Sequence, residues 1–148
     1  MRRSLIVLVL VALAAVASTA ARAWASGSTK PTVQLRQTGK GKILVDSRGF
    51  TLYMFTRDSR KHDACVHISG CASVWPASKA TGRLTAGRGV NARMLGTIKV
   101  GRTRQLTYAG HALYHYIGDT GPGQTGYVGQ NQFGGFWYAI NASGGTVK

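Results

Sequence analysis

The sequence predicts an all-β fold, with antiparallel sheets assembled from two pseudo-symmetric repeats, each a β-hairpin followed by a strand that carries a tryptophan. Three observations lead there. Twenty glycines sit among many Val, Thr, Tyr and Phe residues, with no Glu anywhere, a composition suited to short pleated segments joined by tight turns. Apolar residues alternate by two on either side of short polar segments ending in Gly, which is the pattern of hairpins. Finally, the run Gly49 to Asp58 returns 61 residues later as Gly110 to Asp119, with the shared pattern G-x-x-L-Y-x-[FY]-x-x-D. A tryptophan follows each copy, in Ser73-Val-Trp75-Pro-Ala77 and in Gly135-Phe-Trp137-Tyr-Ala139. Self-similarity of this kind marks a duplicated structural unit.

The first residues stand apart from that fold. Arg2 and Arg3 precede an apolar run from Leu5 to Ala17, and small residues continue to Ala23-Trp24-Ala25. That order reads as a secretory signal peptide over residues 1–25, cleaved after Ala25, with Ala20 and Ala21 as alternative cleavage points. The apolar run is shorter than the roughly 20 residues a membrane helix needs, so no transmembrane segment is expected after cleavage. Residues 26–41 contain Gly, Thr and Lys without periodicity and read as a linker. Residues 42–148 read as a single β domain, with repeats at about 42–80 and 103–141.

Within the first repeat, Lys42-Ile-Leu-Val45 and Phe50 to Phe55 flank Asp46-Ser-Arg-Gly49 as a hairpin. Alternation puts Tyr53 and Phe55 on one face, and Leu52 and Met54 on the other. In the second, Gln105 to Tyr108 and His111 to Tyr116 flank Ala109-Gly110. Tyr114 and Tyr116 then share a face opposite Leu113 and His115. A third strand, bearing Trp75 or Trp137, is expected to close each unit. Leu95 to Val100 supplies a further strand between them, and no segment has the periodicity of an amphipathic helix.

Tyr53-Met-Phe55-Thr-Arg-Asp58 and Tyr114-His-Tyr116-Ile-Gly-Asp119, with Cys65, Cys71-Ala72 and Trp75-Pro76 after the first copy, resemble a known family. It is the secreted-repeat or predicted-lipoprotein family with a Y-x-[FWY]-x-x-D motif, and Gln105-Leu-Thr-Tyr108 and Gly123-Gln-Thr-Gly126 also match it. The resemblance covers roughly residues 42–141 and supports the duplicated β architecture. The family has no agreed biochemical activity. Two departures are visible: Ala112 stands where relatives often have Pro, and no lipid-anchoring Cys lies near the cleavage region. The second implies a freely exported form.

The formal net charge is +15, and removal of Arg2, Arg3 and Arg22 with the signal peptide leaves about +12. Such a surplus favours solubility and attraction to anionic surfaces without bearing on fold. For an exported, basic protein the expected partner is an anionic cell-envelope polymer or surface, not a specific nucleic acid. The cations are dispersed, in small groups such as Lys40/Lys42, Arg57/Arg60/Lys61 and Arg102/Arg104.

Few residues carry chemistry. Cys65 and Cys71 are the two cysteines, and in an oxidising compartment they pair as a disulfide, worth roughly 2 kcal/mol for so short a loop. A metal or redox site is the alternative, because His62, Asp63 and His67 lie beside them, but the spacing matches no finger pattern. Asp58 and Asp119 recur just after a strand, as turn carboxylates, as acceptors for buried Tyr hydroxyls, or as a twice-made cation site. The aromatic set Tyr53, Phe55, Trp75, Tyr114, Tyr116, Trp137 and Tyr138 reads as core, with lining of a small-molecule or glycan cleft as the other use. No nucleophile elbow, zinc-protease helix or phosphate-binding Gly loop is present, and no cofactor is implied. The sequence therefore favours a non-catalytic envelope or extracellular binding module. A metal- or redox-linked exported protein is the first alternative, and a cell-wall or carbohydrate-acting enzyme the second.

Overall fold

The computed structural model describes residues 30–148. The signal peptide read over residues 1–25, and the first part of the segment read as linker, lie outside the described residues. The rest is antiparallel β structure with very little helix. Nine strands run in the order β1 (Val33–Thr38), β2 (Gly41–Asp46), β3 (Tyr53–Phe55), β4 (Leu95–Val100), β5 (Thr103–Tyr108), β6 (His111–Ala112), β7 (Gln130–Gln132), β8 (Gly135–Ile140) and β9 (Thr146–Val147). A 3-10 turn at Cys65–His67 and a single helical turn, α1 (Cys71–Val74), lie between β3 and β4. No helix among the described residues is long and apolar enough to cross a membrane.

Residues 33–38, read from the sequence as linker, form β1, which pairs with β2 from Val33↔Asp46 to Thr38↔Gly41. Burial of Val33, at 0% exposure, anchors this strand. The Gly, Thr and Lys content that suggested a linker belongs to its outward positions and flanks. After β2 the chain turns at Asp46, whose Oδ1 accepts the backbone N–H groups of Arg48 (2.8 Å) and Phe50 (3.0 Å). Gly49 completes the turn at φ +93°, a conformation costly for any residue with a Cβ. The expected hairpin forms here, through Leu52 N–H to Leu44 O (3.1 Å) and the Val45↔Thr51 bridge. The matching hairpin of the second copy joins β5 to β6 through Ala109 and Gly110, both at positive φ as a two-residue turn requires. Its strand β5 also pairs with β4, found over Leu95–Val100 as expected.

The closure of each unit differs from expectation. β3 pairs with β8, placing Tyr53 opposite Ala139 and Phe55 opposite Trp137. Tyr114 bridges to Ala77. The segment after each tryptophan thus closes the other copy's motif strand, not its own. Tyr53 and Tyr114 then join the copies directly, each N–H donating to the other's carbonyl at 2.9 Å. Trp75 is not on a strand either. It ends α1, its N–H donating to Cys71 O at 2.8 Å, because the chain between Cys65 and Cys71 folds into compact turns.

Both faces of the central strands are buried, so the alternation sorts side chains into two cores. Ile43, Val45, Tyr53, Phe55, Tyr114 and Ala139 join one, with both tryptophans. Leu44, Leu52, Met54, Leu106, Leu113 and Ile140 join the other. This is the face assignment that the period of two implied for the motif residues.

Candidate functional site

The duplicated motif converges on one buried junction. Tyr53 donates its hydroxyl to Asp119 Oδ2 at 2.9 Å, and Tyr114 donates to Asp58 Oδ2 at 2.9 Å. Each carboxylate therefore serves the tyrosine of the other copy. Asp58 also accepts the Ala64 backbone N–H at 2.8 Å through Oδ1, which ties the loop before the 3-10 turn to the junction. Burial pushes the Asp58 carboxyl up to about 7, against the Ala64 and Tyr114 hydrogen bonds that favour its ionised form. Burial likewise raises Asp119, with the Tyr53 hydroxyl and His115 acting in the opposite sense. Both tyrosine hydroxyls are pushed well above the usual phenol range, first by burial and then by the carboxylate each one faces.

These directions fix a pH dependence. A carboxyl that binds its proton more tightly when folded adds stability below its unfolded value near 4, and that stability is lost as pH rises through about 7. The chain should therefore be more stable near pH 5 than near pH 8, by about 1–2 kcal/mol once screening at a partly exposed group is allowed for. Urea melts of Asp58→Asn should lose most of this slope. A slope unchanged by that substitution would refute the assignment. Asp46 works in the opposite sense only in acid: burial raises its carboxyl, but His115 and the N–H groups of Phe50 and Arg48 outweigh that and hold it below the usual range.

The rings of Phe55 and Tyr116 cross to the other copy's tryptophan in the same way, while Tyr53 and Tyr114 pack against the tryptophan of their own copy. Phe55 stacks on Trp137 (centroids 4.1 Å apart, planes at 9°), Trp137 on Trp75 (3.7 Å, 3°), and Tyr116 leans over Trp75 (4.7 Å, 32°). Tyr53 and Tyr114 meet the edges of Trp75 and Trp137, each at 5.2 Å. Gln132 accepts from both indoles, at 2.8 Å through Oε1 and 3.2 Å through its backbone oxygen. Sequence reasoning missed Gln132. The need of a buried indole N–H for an acceptor was a signal, but nothing singled out this residue on β7. Tyr53, Phe55, Trp75, Tyr114 and Trp137 are each 1% exposed or less. Their rings lie in the interior, whereas Tyr116 and Tyr138 of the same set are half-buried.

A family model described as a secreted repeat of unknown function matches residues 34–79 and 99–141, one match over each copy. The chain belongs to this secreted-repeat family. No curated protein and no solved structure matches it. The two matched spans of the secreted-repeat family contain every residue of the junction just described.

In this member of the secreted-repeat family, Cys65 and Cys71 form a disulfide, with Cα atoms 5.4 Å apart, at the foot of the turn that delivers Trp75. Both thiols are thereby consumed. His62 and His67 remain exposed with their rings 5.8 Å apart, and no three metal-ligating side chains gather among the described residues. His115 Nε2 lies 3.2 Å from Asp46 Oδ2, off the hydrogen-bonding direction, and Arg48 reaches the same oxygen at 3.2 Å.

One accessible cleft is cationic. This cleft, of about 520 Å³, is lined by Arg60, Lys61 and Arg93 with residues of β4 and the β5–β6 turn, and contains no acid. None of the junction residues Tyr53, Asp58, Tyr114 and Asp119 lines this cleft or four smaller clefts of the described residues.

Proposed function

We propose that this chain is an exported, non-catalytic module that holds an anionic polymer or surface of the cell envelope, with its repeat motif serving as architecture. The observation that carries this reading is the division of labour in the fold. The motif tyrosines and aromatic rings are buried and bond across the copies, while a cleft of about 520 Å³ presents three cations and no carboxylate. A surplus of unpaired positive charge attracts polyanions over distances set by ionic strength. Export follows from the signal peptide read over residues 1–25, together with membership of a family described as secreted.

Retention on immobilised acidic wall polymer is the test. The exported chain should bind at low salt and elute progressively as salt rises through the physiological range, where the Debye length falls below about 10 Å. Retention insensitive to salt, or no retention at low salt, would count against the proposal.

A further inference from the structure

Cations that look scattered in the sequence are gathered by the fold along one edge strand. The 520 Å³ cleft lies between Arg60 and Lys61 on one side and Arg93 with the first half of β4 on the other. A second cleft, of about 220 Å³, lies between Lys61, His62, Asp63 and His67 and the second half of β4, including Lys99; its one acid, Asp63, is buried, and its Oδ1 accepts the Val66 N–H at 2.9 Å. Lys61 lines both, so the two clefts meet there, with β4 as their common wall. β4 has a strand partner on one side only, β5. Its six residues give a track of about 20 Å at the usual strand rise of about 3.3 Å.

Two residues of this track are tied to the β5–β6 turn before any ligand arrives, Lys61 through its backbone and Arg60 through its side chain. Lys61 has φ +59°, and its backbone N–H donates to Gly110 O at 2.8 Å. Arg60 Nη1 donates to Ala109 O at 3.3 Å. The β5–β6 turn thus fixes both residues, which lowers the ordering cost of binding. At the far end, Lys99 sits directly opposite Arg104 across the β4–β5 ladder. Like charges so placed destabilise a sheet, and an anion lying over them relieves that repulsion. Arg104 also bonds Thr97 Oγ1 at 3.0 and 3.2 Å, which turns its guanidinium toward β4.

We propose that a linear polyanion binds in an extended form along β4, with successive anionic groups meeting Arg93, then Arg60 and Lys61, then Lys99. The proposal rests on the reading of the chain as an anion-binding module and names the site and the shape of the ligand. The concave track suits a chain, whereas a flat bilayer would meet its rims. No Phe, Tyr or Trp lines either cleft, so the phenyl, phenol and indole rings on which bases commonly stack are absent from the track. What remains is recognition of repeated phosphate, sulfate or carboxylate groups by guanidinium and ammonium donors.

The probes are a long inorganic polyphosphate, its trimer, orthophosphate, and vesicles of anionic lipid, titrated against the exported chain. The long polymer should bind at least about tenfold more tightly than the trimer, because several groups engage one track. Lys61→Ala, Arg93→Ala and Lys99→Ala should each weaken binding about 5- to 20-fold and reduce the salt slope by about one. Arg83→Ala and Arg88→Ala, which change exposed cations away from β4, should leave affinity within about twofold, as surface charges off the site do. All five sites are exposed, so unchanged melting checks the fold of each variant. Equal weakening by Arg83→Ala and the β4-side variants would overturn the track while leaving the module's anion binding intact. So would affinity independent of polymer length, or tighter binding to vesicles than to the polymer. No binding to any probe at low salt would overturn both proposals.

Discussion

Replacing Trp137 with alanine should destabilise the chain by about 3–5 kcal/mol, the range for removing a buried aromatic side chain. The effect should exceed that of an isolated core residue because this ring joins both copies. It stacks on Phe55 and on Trp75 and receives the edge of Tyr114. The loss also frees Gln132 O from its indole partner. A domain of this size has a total stability of about 5–15 kcal/mol, so a loss of this size removes a large share of what holds the fold together. Phe136→Ala, one residue away and 43% exposed, should cost less than about 1 kcal/mol, as surface changes usually do. Denaturant melts followed by circular dichroism compare the two. Similar costs for both substitutions would show that the stacked column is not the keystone of the core.

Asp58→Ala should cost about 2–4 kcal/mol, because it strands two donors, the Tyr114 hydroxyl and the Ala64 N–H, each worth about 1–3 kcal/mol when left unpartnered in the interior. Asp119→Ala should cost less, since the only donor it is seen to serve is Tyr53. Tyr114→Phe should cost about 1–2 kcal/mol. Combined with Asp58→Ala it should add less than the sum, with a coupling of about 1 kcal/mol or more, as for residues in direct contact. Melts of the single and double variants at one pH measure the cycle. Additive effects would mean that the 2.9 Å contact contributes nothing. A catalytic carboxylate would behave differently, with turnover lost and stability kept or gained on its removal.

Much of this fold was legible because alternation is a local property. Once β2 and the Leu52–Phe55 run are strands, the assignment of Tyr53 and Phe55 to one core and Leu52 and Met54 to the other follows from pleating alone. Strand partners were not legible. A duplicated sequence offers each motif strand two tryptophan segments of nearly the same pattern, and only tertiary packing chooses between them. Trp75 was misplaced for a related reason. Its flanks look like those of Trp137, but Gly70 at φ +76° and the disulfide bend the preceding loop into a helical turn. β1 was lost because its outward Gln, Arg and Thr residues masked one buried valine. The site was the least readable feature. Arg60 and Lys61 are more than thirty positions from Arg93, and no pattern in the chain states that the β5–β6 turn brings them to the same wall.

Tyr53 meets Asp119 and Tyr114 meets Asp58, so neither copy contains the partners it needs. A polypeptide with one copy alone would have to find a second molecule to complete itself, and its integrity would fall with every dilution. Joining both on one backbone makes that association unimolecular, at an effective concentration on the order of millimolar. For a member of a family described as secreted, dilution therefore carries no penalty for assembly: stoichiometry is guaranteed wherever a single chain arrives.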